Sequence, residues 1–128
     1  MSAKIKVGLV AAIVMTGIPC AAAPFISVVD YQNLRHKGGE GEKVIDIYIG
    51  AAIEAVGFAN QHVIDLKQPP LFCQGDATIT VRLVRDEIDR WINAKMSTMS
   101  PVEWNARARK ISLAGATMFA LMYTFPCR

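Results

Sequence analysis

Residues 100–127 read SPVEWNARARKISLAGATMFALMYTFPC, and this stretch decides the fold class. It opens with Ser100-Pro101-Val102-Glu103, in which the serine can cap free amides, the proline suits the first helical position and the glutamate can reach back to the cap. Apolar residues then become denser until Pro126, which cannot continue a helix. The pattern predicts one long helix that ends just before Cys127.

Three earlier segments also carry helical signals. The first spans about residues 26–35 and stops at Gly38-Gly39, although its opening residues Ile-Ser-Val-Val also suit an extended chain. The second spans about residues 42–62, and the third about 78–94, capped by Asp76 or Thr78. No strand pair is indicated, so the sequence predicts an all-α fold, a small bundle of about four helices.

The second segment is the most regular and is predicted to be the central helix. Its apolar residues recur at helical spacing, which predicts a broad buried face. That face consists of Val44, Tyr48, Ala51, Ala55 and Phe58, flanked by Ile45, Ala52 and Ala59.

Two glycines lie on another side of this segment. Gly50 and Gly57 are seven residues apart with Ile53 between them, and each weakens the helix by about 1 kcal/mol relative to alanine. A glycine within a helix permits a second backbone to approach closely. We interpret Gly50, Ile53 and Gly57 as a helix-packing face inside the monomer or, alternatively, as a subunit interface.

The third segment has charges of both signs on its outer face. Arg82 and Asp86 are four residues apart, as are Arg85 and Asp89, which is the spacing at which helical side chains meet. The pattern predicts a ladder of solvated ion pairs along one helix rather than an acid/base pair for catalysis.

The N-terminus has the three parts of a signal peptide. Lys4 and Lys6 precede an uncharged apolar run, which ends in Ala21-Ala22-Ala23. The run is shorter than the roughly 20 residues that a spanning helix needs, which disfavours an uncleaved membrane anchor. The sequence predicts a signal peptide over residues 1–23, an exported domain over 24–128 and a periplasmic location.

Removing the signal changes the charge balance. The chain has 14 lysines and arginines against 11 acidic residues, and residues 1–23 contain two of the lysines and no acid. The exported domain is therefore almost neutral, and its composition indicates neither a nucleic-acid partner nor a membrane partner. About 105 residues remain, enough for one modest core.

Cys73 and Cys127 are the cysteines of the predicted exported domain. An isolated pair of thiols is expected to oxidise outside the cytoplasm. Closing a loop of about 54 residues in this way adds about 4 kcal/mol of stability in the chain-entropy model. The alternatives are two free thiols or two catalytic thiols, but no Cys-x-x-Cys motif accompanies them.

Residue patterns that carry catalysis are missing from the sequence. His36 and His62 have no second ligand at metal-binding spacing, and we expect no metal and no cofactor. There is no phosphate-binding glycine loop and no nucleophile elbow. The sequence therefore predicts a protein that acts by binding and is not an enzyme.

Three short motifs resemble the Rap/Tai immunity proteins, a family that protects bacteria against type VI secretion amidases. They are Leu71-Phe72-Cys73 before a Thr-led helix, the ending Ala120-Leu121-Met122-Tyr123-Thr124-Phe125-Pro126-Cys127, and Tyr48-Ile49-Gly50 within an alanine-rich helix. The resemblance covers about residue 44 to the C-terminus. It implies a helical periplasmic protein, often a homodimer, that covers the cleft of a secreted effector, with Cys73 and Cys127 in a structural disulfide.

One connector is the candidate contact with such an effector. Lys95-Met96-Ser97-Thr98-Met99 has two flexible methionines that can enter a partner's groove, so Lys95, Met96, Ser97 and Met99 are predicted to bind the partner. The alternative is that both methionines fold back on the core. For the whole protein, the alternatives are a small periplasmic chaperone or stress protein and a structural part of an envelope assembly.

Overall fold

The computed structural model describes residues 25–128, and the predicted signal peptide lies outside them. In this described part of the chain the all-α fold and the Cys73–Cys127 disulfide are confirmed, with five helices instead of about four. Within residues 25–128 no helix is long and apolar enough to cross a membrane. The helices are α1 (Val28–Lys37), α2 (Glu40–Asp65), α3 (Val81–Met96), α4 (Pro101–Ala108) and α5 (Leu113–Thr124).

Hydroxyl side chains start four of the five helices. Ser27, Thr80, Ser100 and Ser112 each accept a hydrogen bond from the amide three residues further along, which satisfies an otherwise free donor. The cap of α3 is therefore Thr80, and the prediction of Asp76 or Thr78 was wrong. The chain is still extended at Thr80 because the preceding Ile79 packs against the core.

The strongest cap is one that the sequence analysis missed. The Ser27 amide and hydroxyl both donate to the Asp30 carboxylate, at 2.9 and 2.6 Å, while the Asp30 amide donates back to the Ser27 hydroxyl. These bonds hold the pKa of Asp30 below its ordinary value. At α4, by contrast, the Glu103 carboxylate accepts from Arg107 at 3.0 Å, and only the Ser100 half of the predicted capping box is seen.

The predicted fourth helix is in fact two helices, with a break at residues 109–112. At this break the Val28 amide donates to the Ile111 carbonyl at 2.9 Å, and the Leu113 amide donates to the Ile26 carbonyl at 2.8 Å. The chain leaves the helix because its backbone pairs with the residues just before α1. Ser112 then starts α5 as a new cap.

The buried face of α2 is only partly the predicted one. Ile45 and Ala52, at the flank of the predicted face, are buried together with Gly41 and Ile49, whereas the predicted centre is mostly exposed, with Phe58 78% accessible. Because α2 is apolar on both sides, its periodicity could not decide which side meets the bundle. Fourteen apolar residues from all five helices and the mid-chain loop form the core: Val28, Tyr31, Ile45, Ile49, Phe72, Val84, Ile88, Ile92, Trp104, Ala108, Leu113, Ala116, Ala120 and Leu121.

Charged residues of α3 bind other helices instead of forming the predicted ladder. Arg85 donates to Asp46 of α2 at 2.9 Å. Asp89 accepts from Arg35 of α1 at 2.9 Å and from the hydroxyl of Tyr31 at 2.5 Å. The predicted pair of Arg85 with Asp89 was wrong because both side chains face neighbouring helices, where they fix the position of α1 and α2 relative to α3.

Alkaline pH is expected to destabilise the protein through Tyr31. Burial, and then the bond to Asp89, raise the pKa of Tyr31 above its ordinary value, so the folded state keeps a proton that the unfolded chain releases above about pH 10. This contribution is therefore complete below about pH 10 and falls by about 1.4 kcal/mol per pH unit above it. Urea unfolding at several pH values measures the slope.

The matched variants are Tyr31→Phe and Tyr123→Phe. The first should flatten the alkaline slope, whereas the second, at a side chain that is 81% exposed, should keep it. Parallel curves for the parent and Tyr31→Phe would contradict this assignment.

The middle of the loop between α2 and α3 is tied to α2 and to the C-terminus. The Asn60 side chain accepts from the Leu71 amide at 2.6 Å and donates to the Phe72 carbonyl at 3.0 Å. The Cys73 amide donates to the Phe125 carbonyl at 2.8 Å, and the disulfide joins Cys73 to Cys127 with a Cα–Cα distance of 4.9 Å. The C-terminus is thus held against the middle of the chain by a covalent bond and a hydrogen bond.

Candidate partner-binding groove

An apolar groove of about 630 Å³ runs between α3 and α5. Buried Ile88, Ala116 and Ala120 lie along it, and they belong to the core of the bundle. Small side chains at two of these positions leave room above them. The groove therefore exists because α5 presents alanines where it faces α3.

Aromatic residues stand along the sides of the groove. Phe119 is 59% exposed and Tyr123 is 81% exposed on α5, and Trp91 lines the groove from α3. The Trp91 ring meets Trp104 edge to face, with ring centroids 5.9 Å apart, a preferred geometry for aromatic pairs. This contact restricts the orientation of the Trp91 ring.

Charges lie at the rim of the groove on its α3 side. Glu87 accepts from Arg90, so its charge is compensated within α3. Lys95 is exposed and also lines the groove. Among residues 25–128, no group of three or more histidine, cysteine, aspartate or glutamate side chains is placed to hold a metal ion.

This combination fits protein binding. Large aromatic side chains bury much apolar area at a small cost in conformational entropy, and they dominate interface energetics. Exposed apolar patches with a polar rim mark interaction sites on protein surfaces. The groove can therefore receive an apolar segment of another molecule, with Lys95 beside it to meet a carboxylate.

The predicted partner-binding connector lies beside this groove and only partly in it. Lys95 lines the groove, but Met96 and Met99 line a smaller recess next to α1 and α4. Met99 packs against the core, and the Ser97 hydroxyl donates to the Ala94 carbonyl at 2.8 Å. The connector is thus a compact turn that separates two recesses.

The predicted helix-packing face of Gly50, Ile53 and Gly57 faces inward at the first two positions. A Cβ atom on Gly50 would lie 3.7 Å from the Val81 side chain, and Ile53 packs against the core. A Cβ atom on Gly57 would meet nothing within 4 Å. The structure thus shows helix packing inside the monomer at Gly50 and Ile53, while a subunit interface on this face stays a prediction.

Sequence reasoning did not single out Phe119 and Tyr123 as candidate binding residues. Both lie in the C-terminal segment, which was predicted only as an increasingly apolar helix that ends at Pro126. A helix that is apolar all round has an outer face that needs a partner, and this signal was available in residues 113–125.

Comparison of the chain with known proteins identifies no relative. The chain matches no protein-family model, no curated protein and no solved structure.

Proposed function

We propose that this chain is an exported inhibitor that binds a second protein through the groove between α3 and α5. The observation that carries the proposal is the pair of exposed aromatic side chains, Phe119 and Tyr123, on a bundle whose C-terminus is clamped by a disulfide. A rigid surface loses little entropy on binding, and preformed aromatic anchors favour high affinity.

The disulfide supports the location that the proposal needs. Such bonds persist in oxidising compartments and are rare in the cytoplasm. Together with the signal-like N-terminus, this favours the periplasm.

The proposed partner is a type VI secretion effector, with a peptidoglycan amidase as the first candidate. The sequence motifs that resemble the Rap/Tai immunity proteins support this choice, and two of them, Phe72-Cys73 and Phe125-Pro126-Cys127, meet at the disulfide. Inhibition would be by occlusion: the bundle covers the cleft of the effector and keeps its substrate out, without chemistry on the inhibitor's side.

Rescue of growth is the direct test. An amidase encoded beside the gene is directed to the periplasm of a host cell with or without this chain, and growth is followed. We expect the chain to restore growth and to bind the purified amidase with nanomolar affinity. If no neighbouring toxin is neutralised, the proposal is wrong; weak binding of many unfolded proteins would favour the chaperone alternative.

Groove variants then locate the binding surface. Phe119→Ala and Tyr123→Ala should each weaken binding by about 30-fold, equivalent to the 2 kcal/mol typical of an anchor residue. Both side chains are more than half exposed, so the fold should tolerate the loss. Calorimetric titration measures the affinities.

Phe58→Ala is the matched control for both variants. Phe58 is as exposed as Tyr123 but lies on α2 and does not line the groove, so its loss should leave affinity unchanged. Equal effects from all three variants would contradict the placement of the site.

A further inference from the structure

A second recess lies between α1, α4 and the connector that joins α3 to α4. Its volume is about 230 Å³, and three of the side chains that line it have soft or borderline metal-binding atoms: His36, Met96 and Met99. No carboxylate lines it. His36 lies about 60 residues before the two methionines in the sequence, so a search for ligands at short spacing does not find the set.

One ring nitrogen of His36 is held by a main-chain carbonyl of its own helix. Its Nδ1 atom lies 2.6 Å from the main-chain carbonyl oxygen of Gln32. Because a carbonyl oxygen can only accept, Nδ1 must donate, and in the neutral ring this leaves the lone pair on Nε2. Histidines that bind metals are commonly held by such a bond from the other ring nitrogen.

The same glutamine also holds one of the sulfur atoms. The Gln32 Nε2 atom donates to Sδ of Met96 at 3.4 Å, and its Oε1 atom accepts from the indole of Trp104 at 2.9 Å. Gln32 is therefore fixed at its amide end by a buried tryptophan. This arrangement places Met96 Sδ against α1, the helix that carries His36.

Met99 completes the set from the other end of the connector. It is half-buried and packs against the core, while Met96 is 46% exposed. A thioether side chain has three rotatable bonds and adapts to irregular spaces. Both side chains can therefore adjust the position of their sulfur atoms by rotamer changes.

The chemistry of these donors selects the ion. Thioether sulfur prefers Cu(I) over the hard divalent ions, and imidazole also binds copper well. Calcium and magnesium require oxygen ligands that the recess does not offer as carboxylates. Trp104 also lines the recess, and its ring face attracts cations.

We propose that this recess binds one monovalent soft ion, Cu(I), through Nε2 of His36 and the sulfur atoms of Met96 and Met99. The proposal is independent of inhibitor function, because none of these three side chains lines the groove between α3 and α5.

Titration with Ag(I), a redox-stable probe for Cu(I) sites, tests the proposal. The full chain is used with Cys20→Ser, so that no free thiol competes with the recess. Native mass spectrometry should show one tightly bound Ag(I), and methionine-methyl NMR should show shifts at Met96 and Met99. Competition with a chelator under anaerobic conditions then gives the affinity for Cu(I).

Variants show whether the ion is bound in the recess or by methionines elsewhere in the chain. Met96→Leu/Met99→Leu should abolish the bound ion, and His36→Gln should weaken binding by about 10-fold or more. The matched control, Met118→Leu/Met122→Leu, should bind as the parent does, and leucine keeps nearly the same volume at every site. Retention of the ion by Met96→Leu/Met99→Leu, or the absence of saturable binding by the parent, would overturn the proposal.

Discussion

Replacing Cys73 and Cys127 with alanine should lower the free energy of unfolding by about 4 kcal/mol. The bond closes a loop with a sequence separation of 54 residues, and chain-entropy arguments give about that value for a loop of this length. The native positions of the two ends do not depend on the bond alone, because the Cys73 amide also donates to the Phe125 carbonyl. Most of the loss should thus arise from the greater freedom of the unfolded chain.

Urea unfolding of the double variant and of the parent, each with and without reductant, measures this difference. Reductant should destabilise the parent to the level of the double variant and leave the variant unchanged. A difference below about 1 kcal/mol would mean that residual structure in the unfolded chain already restricts this loop without the disulfide.

Gly41→Ala should cost about 3 kcal/mol, at the upper end of what overpacking causes. A Cβ atom at this position would lie 2.4 Å from the carbonyl oxygen of Leu34. That oxygen belongs to the backbone of α1, so it cannot rotate away as a side chain would. The two helices, which join at Gly38-Gly39, would have to separate where they lie closest.

Gly57→Ala is the matched control, because the residue lies in the same helix with nothing within 4 Å of its added carbon. Alanine should stabilise α2 there by up to about 1 kcal/mol. Thermal unfolding measures the stability of both variants. A change of the same sign in the two variants would contradict the close contact at Gly41.

Local signals predicted much of this fold. Capping serines, the double glycine and Pro126 act over a few residues, so the helical segments could be assigned from the sequence. The disulfide was predictable because the predicted exported domain has only two cysteines.

Long-range contacts explain the main errors. The break before α5 has no proline or glycine, and it exists because residues 26–28 pair with 111–113. Likewise, Asp89 has a cation four residues away in Arg85 but binds Arg35 and Tyr31. Nothing near either site in the sequence shows these partners.

The candidate groove could not be predicted from the sequence for a related reason. Phe119 and Tyr123 are part of a helix that is apolar on every side. Sequence alone does not say which of these side chains the other helices cover. Of the predicted binding connector only Lys95 lines the groove, and the aromatic residues along it were not predicted.

Pairing between the two ends of the chain affects when folding can finish. Val28 is fully buried, and its amide needs the Ile111 carbonyl as its acceptor. The ribosome synthesises the chain from its N-terminus, so the carbonyl that accepts this hydrogen bond is present only near the end of synthesis. The start of α1 therefore reaches its native hydrogen bonding only after residues 111–113 have been made, whatever the order in which the other helices form.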